Sequence, residues 1–527
     1  MLFQLLPLAL LSLGLAQSAN KNGLSRLEEA LYKGYDEVWP FSVQFPAVSD
    51  LRVKRTDLYE GIANLGQWSE YSLGKILEKA LDKKKIKILV VGESITLGAN
   101  LGCHNNKRTY HYGLTRWWLR TIVNATGSKL ARHQIAVGGV GTNYFDRCWK
   151  EYLNANETFD LVLWEFAFND AQAVNQSKAI ERFTRSVAGL PEIPGLIFIS
   201  FFRKSFFESY TSRKSVNPCD KIVDDISKKH ESHELTIKTV AEYYGITLLD
   251  LERTVCSALE GNSSALSMQH MFNRDHPSFL AHAQMTFILI HYMRATFANI
   301  VRKLKFSIQR ESNMSNITRF RFKRKLQHFS KRSKTIKLDG SAKSASKHHK
   351  KILLPSIFLT KEEADVYDEP ICWTAVLPNI HKKPKHDLFD LQIKHSKSFM
   401  RLKKTDWRDA DEKRYDSTGG FYTTKANQTI SFDFTIPKVE EKSKWQISVA
   451  IRNKFFGGDV QLSLRNHVNR RDTDREEQEA TDVIDSSVKV YSGVNVFDIL
   501  RKTDPGKKTL TIRTLTGGVH ICGIIIS

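Results

Sequence analysis

After its first sixteen residues the sequence has no apolar run long enough to cross a bilayer, which takes about 20 residues. No membrane span beyond the N-terminus is therefore expected. Acidic residues are in deficit, 57 Asp and Glu against 79 Lys and Arg, giving a formal net charge of +22. No HExxH-type histidine spacing occurs, so no metal and no cofactor is expected. Cysteine is sparse: Cys103, Cys148, Cys219, Cys256, Cys372 and Cys522. An even count in an oxidising compartment reads as three disulfides. The N-terminus, MLFQLLPLALLSLGLAQSAN, lacks an early Lys or Arg. It otherwise has the form of a leader, with an apolar stretch closed by Gly14 and Ala16 at −3/−1 spacing. Residues 1–19 are read as a signal peptide and the chain as secreted or lumenal. Sequons at Asn124, Asn156, Asn175, Asn262, Asn313, Asn316 and Asn427 support export and glycosylation.

What is present sorts by region. A chain of 527 residues exceeds one ordinary domain, and 41% hydrophobic content is enough for real cores. Residues 20–85 read as a helical and loop extension. Residues 86–300 alternate short β-branched runs with helical spacing: strands at 86–91, 131–137, 161–166, 195–201 and 246–249, helices at 110–124, 222–244 and 279–297. That order predicts an α/β domain with a parallel sheet. Residues 301–352 hold most of the positive charge, with little apolar periodicity, and read as a flexible basic linker. In an exported chain such charge suits a polyanionic glycan rather than nucleic acid. From 353 to 527 the pattern becomes period two, as in TISFDFTI and WQISVAI, which predicts a β-sandwich-like domain. Cys372 lies near its start and Cys522 near its end, and pairing of the two is expected. Cys103–Cys148 and Cys219–Cys256 are the remaining pairs.

In an α/β sheet, functional groups gather at the C-terminal strand ends. Ser94 follows the first strand in KILVVGESIT. Gly138, Gly139 and Gly141 follow the second in AVGGVGTNYF. Asn169 follows the third in LWEFAFND, and His276 precedes the last helix in FNRDHPSFLAH. Each alone has an ordinary explanation: a helix cap, a tight turn, a helix start. Together they supply a nucleophile, oxyanion donors and a general base, the set that acyl transfer requires.

On these four blocks the chain resembles the SGNH (GDSL-like) hydrolases over about residues 86–297. It is most similar to divergent eukaryotic secreted members with a β-rich C-terminal region. The resemblance implies a flavodoxin-like three-layer α/β/α domain and ester hydrolysis. Ser94 would be the nucleophile, His276 the base, and Gly139 and Asn169 the oxyanion donors beside the N–H of Ser94. The substrate it implies is a small ester or an acylated glycan, such as an acetylated one. The sequence departs from the family pattern at Glu93, where Asp is usual, and at Ala167, where Gly is usual. A third departure bears on the chemistry. The carboxylate expected three residues before the histidine is Asn273, and the nearest acid is Asp275. That carboxylate orients the imidazole and stabilises its charged form. Asp275 can replace it, His276 can work in a Ser–His dyad, or the domain can have lost activity. In the last case the chain would be an extracellular glycan or surface binding protein.

Overall fold

The computed structural model describes residues 21–32, 55–99, 101, 106–154, 157–170, 176–202, 225–260, 271–273, 276–313, 355–360, 370–377, 384–395, 398–402, 419–439, 444–452, 459–466, 480–485, 494–499 and 502–527. The signal segment, Cys103, Cys219, Asp275, Asn156, Asn175, Asn262, Asn316 and the basic tract beyond residue 313 lie outside the described residues, as do the side chains of Cys256, Asn273 and Asn313. Asn124 and Asn427 are exposed.

Six strands form the first sheet: β1 (Ile62–Asn64), β2 (Lys85–Gly92), β3 (Lys129–Ala136), β4 (Leu161–Glu165), β5 (Gly195–Ser200) and β6 (Thr247–Asp250), in the order β1-β6-β5-β4-β2-β3. Strands β2 to β6 are parallel, and β1 adds an antiparallel edge. Counted from β2, the parallel strands lie 2-1-3-4-5. This is the flavodoxin-like order, whose crevice opens where the winding reverses, between the C-terminal ends of β2 and β4.

The β-branched run of β2 serves two faces, because successive side chains of a strand point to opposite sides. Ile86, Ile88 and Val90 join the core under the helices Gln67–Leu81, Tyr110–Trp118 and Phe279–Asn313. Leu89 and Val91 join the core under Thr142–Cys148, Gln176–Ala188 and Asp225–Tyr244. The result is three layers, α/β/α. The last helix, expected over 279–297, continues to Asn313 into the basic tract. Val301 and Leu304 explain the extension: both are fully buried in the core shared with Leu24, Leu27 and Leu31 of the N-terminal helix Lys21–Tyr32. Lys305 pairs with Glu28 across the same contact.

A short hairpin follows α/β winding: β7 (Phe272–Asn273) and β8 (His276–Pro277). The C-terminal strands are β9 (Ile371–Thr374), β10 (Gln392–His395), β11 (Met400–Leu402), β12 (Gly420–Thr423), β13 (Thr429–Ile436), β14 (Ile447–Arg452), β15 (Asp459–Asn466), β16 (Ala480–Asp485), β17 (Val494–Asp498), β18 (Gly506–Thr514) and β19 (Val519–Ile526). One antiparallel sheet runs β10-β13-β18-β15-β16 and the other β11-β12-β19-β14-β17, with β9 also on β19. Phe432, Leu462 and Ile512 of the first meet Ile447, Val449, Ile521 and Ile524 of the second in one core, a sandwich.

The second sheet is covered on its other face too. Ala450, Cys522 and Ile525 belong to the same core as Tyr144, Phe145 and Cys148 of the α/β part. Hence β14 and β19 are buried at every residue. Polar bonds cross the same junction. The Tyr144 and Thr374 hydroxyls are 2.6 Å apart, and buried Glu181 accepts N–H bonds from Ile357, Phe358 and Leu359.

The disulfide pairing departs from expectation. Cys148 bonds Cys372, with Cα atoms 5.7 Å apart, and Cys522 is a free, buried thiol. Register is the reason. Cys372 lies opposite Ile525 on β19, three residues from Cys522. At about 3.4 Å per residue that is about 10 Å along the strand, beyond a disulfide's reach. The first and last strands of this region are joined by their ladder instead, and the disulfide ties the two parts of the chain together. With Cys148 engaged, the expected Cys103–Cys148 pair does not form. Among the described residues no helix is long and apolar enough to cross a membrane.

Candidate active site

The site stands at the crevice between β2 and β4. Ser94 begins the short Ser94–Leu97 helix directly after β2. The turn into it is tight. A Cβ on Gly92 would lie 2.1 Å from Thr96 Oγ1 and 2.8 Å from the Glu165 carbonyl oxygen, so only glycine fits. Ser94 keeps 8% exposure, while Glu93 and Thr96 on either side are fully buried.

His276 comes to Ser94 from far downstream. Its Nε2 is 2.9 Å from Ser94 Oγ. The β7–β8 hairpin carries it there, and the backbone register sets Asn273 directly opposite His276. The imidazole stacks on Phe168, with ring centroids 5.5 Å apart at 27°. Ser94, His276 and Asn169 are thus brought to one end of one sheet. Gly139 follows β3 in a left-handed conformation, φ 70°, which a β-carbon resists. The Asn169 amide donates to the Val140 carbonyl at 3.4 Å, and its backbone N–H donates to Glu93 Oε1 at 2.9 Å.

Three buried acids brace these groups; from the sequence Glu93 stood only as a departure from the family pattern and Asp170 only as a cap or turn residue, and Glu165 had no role. Glu93 ties the residue before the serine to Asn169. Glu165, at the end of β4, makes the reciprocal tie: it accepts the Thr96 N–H at 3.2 Å and the Thr96 hydroxyl at 2.8 Å. Asp170 accepts the Thr142 N–H at 2.8 Å and the Thr142 hydroxyl, which fixes the loop after β3. Burial pushes Glu165 up to about 8 and Asp170 up to about 7, against the pull of their Thr donors. Both are therefore protonated in acid, and Asp170 gives up its proton before Glu165 as pH rises. The signal was present in LVLWEF: an acid inside an apolar strand must find donors or stay neutral.

Beneath the serine turn lies a layer of neutral histidines. His111 Nε2 contacts the Thr96 carbonyl oxygen at 2.9 Å, and its Nδ1 contacts Arg132 at 2.7 Å. Burial, then the Arg132 charge, holds His111 far below the usual imidazole range. Burial, then the proximity of His276, takes His282 to about 3. Neither can compete with His276 for a proton near neutrality. Among the described residues no group of three or more His, Cys, Asp or Glu side chains could hold a metal ion.

Comparison with solved structures finds several likenesses at low identity. The chain is similar to a two-domain esterase active on acetylated mannans, at 14% identity over 89% of this chain and 97% of that one, with a TM-score of 0.49. It is similar over 39% of its length to 98% of an acetyl xylan esterase, at 14% identity and a TM-score of 0.30. It is also similar over 30% to 98% of a family 35 carbohydrate binding module from Clostridium thermocellum, at 8% identity and a TM-score of 0.19. No family model and no curated protein matches the sequence.

Proposed function

We propose that the protein is a secreted serine esterase that cleaves a small acyl ester, such as an acetyl group on a glycan. The observation that carries this reading is the 2.9 Å approach of His276 Nε2 to Ser94 Oγ at the switch point of the sheet. His276 takes the proton from Ser94 as Oγ attacks the acyl carbon. The N–H groups of Ser94 and Gly139 and the amide of Asn169 receive the developing oxyanion. His276 then gives its proton to the departing alcohol, and water releases the acyl group by the same steps. The stacked Phe168 ring holds the imidazole plane. Asn273, across the hairpin from His276, brings no negative charge to the imidazolium, so turnover is expected to be slow. The small acyl group, the glycan and the secreted location rest on the sequence resemblance and the leader. The basic tract is proposed to hold the protein near polyanionic glycan.

The test is hydrolysis of p-nitrophenyl acetate by the purified chain and by Ser94→Ala. The expected result is loss of turnover in the variant with an unchanged unfolding midpoint. Equal rates would favour the other reading, an SGNH-fold binding protein, for which Asn273 is the supporting feature.

A further inference from the structure

The loop after β3 reads Gly138-Gly139-Val140-Gly141, three glycines in four residues. Glycine has the most backbone freedom to lose on folding, so such a loop does not hold one shape by itself. Two of its anchors come from the α/β part: Asn169 Nδ2 on the Val140 carbonyl and Asp170 on Thr142. A third comes from the other end of the chain. The Val494 N–H, at the start of β17, donates to the Gly139 carbonyl oxygen at 2.7 Å, and Val140 and Val494 pair as in a parallel ladder.

The far end of β17 is fixed as well. Arg147, on the helix that follows the loop, donates from Nη1 to Asp498 Oδ1 at 2.6 Å and from Nη2 to Oδ2 at 3.2 Å. It also donates to Ser448 Oγ at 2.6 Å. Burial works to raise the Asp498 carboxyl, but Arg147 prevails and leaves it below its usual value, so the pair stays ionised. The Cys148–Cys372 bond closes the same junction one residue further on.

We infer that the C-terminal β part is a positioning element of the ester-cleaving site, in which the Val494 backbone N–H fixes the Gly139 peptide. This rests on the esterase reading. The geometry gives the mechanism. A peptide is planar, with its C=O and N–H pointing opposite ways. Holding the Gly139 oxygen toward β17 therefore turns the Val140 N–H away from the β part. Through the φ and ψ of Gly139 it also sets the direction of the Gly139 N–H, the donor assigned to the oxyanion. A loose loop would spread that donor over many directions and weaken a contact that must be aimed before the charge develops.

The test uses the full chain carrying Val494→Pro, which deletes this one donor at the first residue of a strand, where proline is tolerated. Arg147→Met serves as the second variant and loosens the other end of β17 without a proline. Two readouts are taken: amide hydrogen exchange of peptides spanning 138–142 and 85–92, and kcat and KM for p-nitrophenyl acetate. Faster exchange in 138–142 alone, with kcat down about tenfold or more and KM unchanged, is the expected result. A merely structural contact would speed exchange in both peptides and leave kcat per folded molecule as in the wild type. Unchanged exchange at 138–142, or an unchanged kcat, overturns the inference. Wild-type hydrolysis indifferent to Ser94→Ala would instead remove the esterase reading, and the exchange data alone would then decide whether β17 clamps the loop.

Discussion

Glu165 offers a severe test of how the site is braced. Two substitutions separate its packing from its charge. In Glu165→Ala the Thr96 N–H loses its acceptor in a dry interior, at a cost of about 1–3 kcal/mol. The Thr96 hydroxyl suffers less, because the Tyr110 hydroxyl is 2.9 Å away and remains as a partner. The vacated volume, about 50 Å³ at about 24 cal/mol per Å³, adds about 1 kcal/mol. The total is about 2–4 kcal/mol. In Glu165→Gln the shape and an acceptor oxygen stay, and because burial keeps the native carboxyl protonated in acid, little is lost there. The pH dependence follows from proton counting. The unfolded chain binds this proton only below about 4.5, and the folded chain keeps it up to about 8. Between these values the folded state holds the extra proton, so this group makes stability fall as pH rises, by about 1.4 kcal/mol per pH unit at most. Urea unfolding of the wild type and both variants, at about pH 5 and about pH 8, reads all of this. Glu165→Gln should match the wild type in acid and exceed it toward pH 8, while Glu165→Ala is weaker than the wild type in acid and the gap narrows toward pH 8. If Glu165→Gln loses as much as Glu165→Ala in acid, the carboxyl is ionised in the fold and the account of this brace is wrong.

Asn273→Asp should raise kcat for p-nitrophenyl acetate by about tenfold or more, because it restores a charge at the register position facing His276; a rate no higher than the wild type would count against that assignment. Cys522→Ser should leave the Cys148–Cys372 cross-link intact in peptide maps made without reduction, whereas loss of a disulfide in that variant would show that Cys522 is paired.

Much of the α/β part was legible from periodicity. The runs at IKILVV, LVLWEF and GLIFISF are buried strands because an α/β sheet is covered on both faces and needs apolar residues without alternation. Other elements gave too little pattern. Strand β1 is only three residues, Ile62–Asn64, and exists because β6 offers it an edge. The long last helix runs past the point where the sequence turns basic, because Leu24, Leu27 and Leu31 cover Val301 and Leu304. No local signal announces a partner about 270 residues away. Of the site, the serine, the asparagine and the histidine stood out by their place at strand ends. Of the bracing acids only Glu165 carried a mark, as an acid inside an apolar strand, and the donors that hold it come from elsewhere in the chain.

The closing stretch VHICGIIIS shows where the division falls. Its sequence alone determined a strand that is apolar on both faces. Only the tertiary structure decided what each face meets: Ile521, Ile524 and Ile526 fill the sandwich, while Cys522 and Ile525 turn toward the α/β part. The same holds for Cys372. The sequence supplied the thiol, and the register of β9 on β19 gave it to Cys148 instead of Cys522. Hydrophobic periodicity is a local property of the chain. Which surfaces close on one another depends on contacts hundreds of residues apart, and the loop that carries Gly139 takes its shape from a strand of this kind.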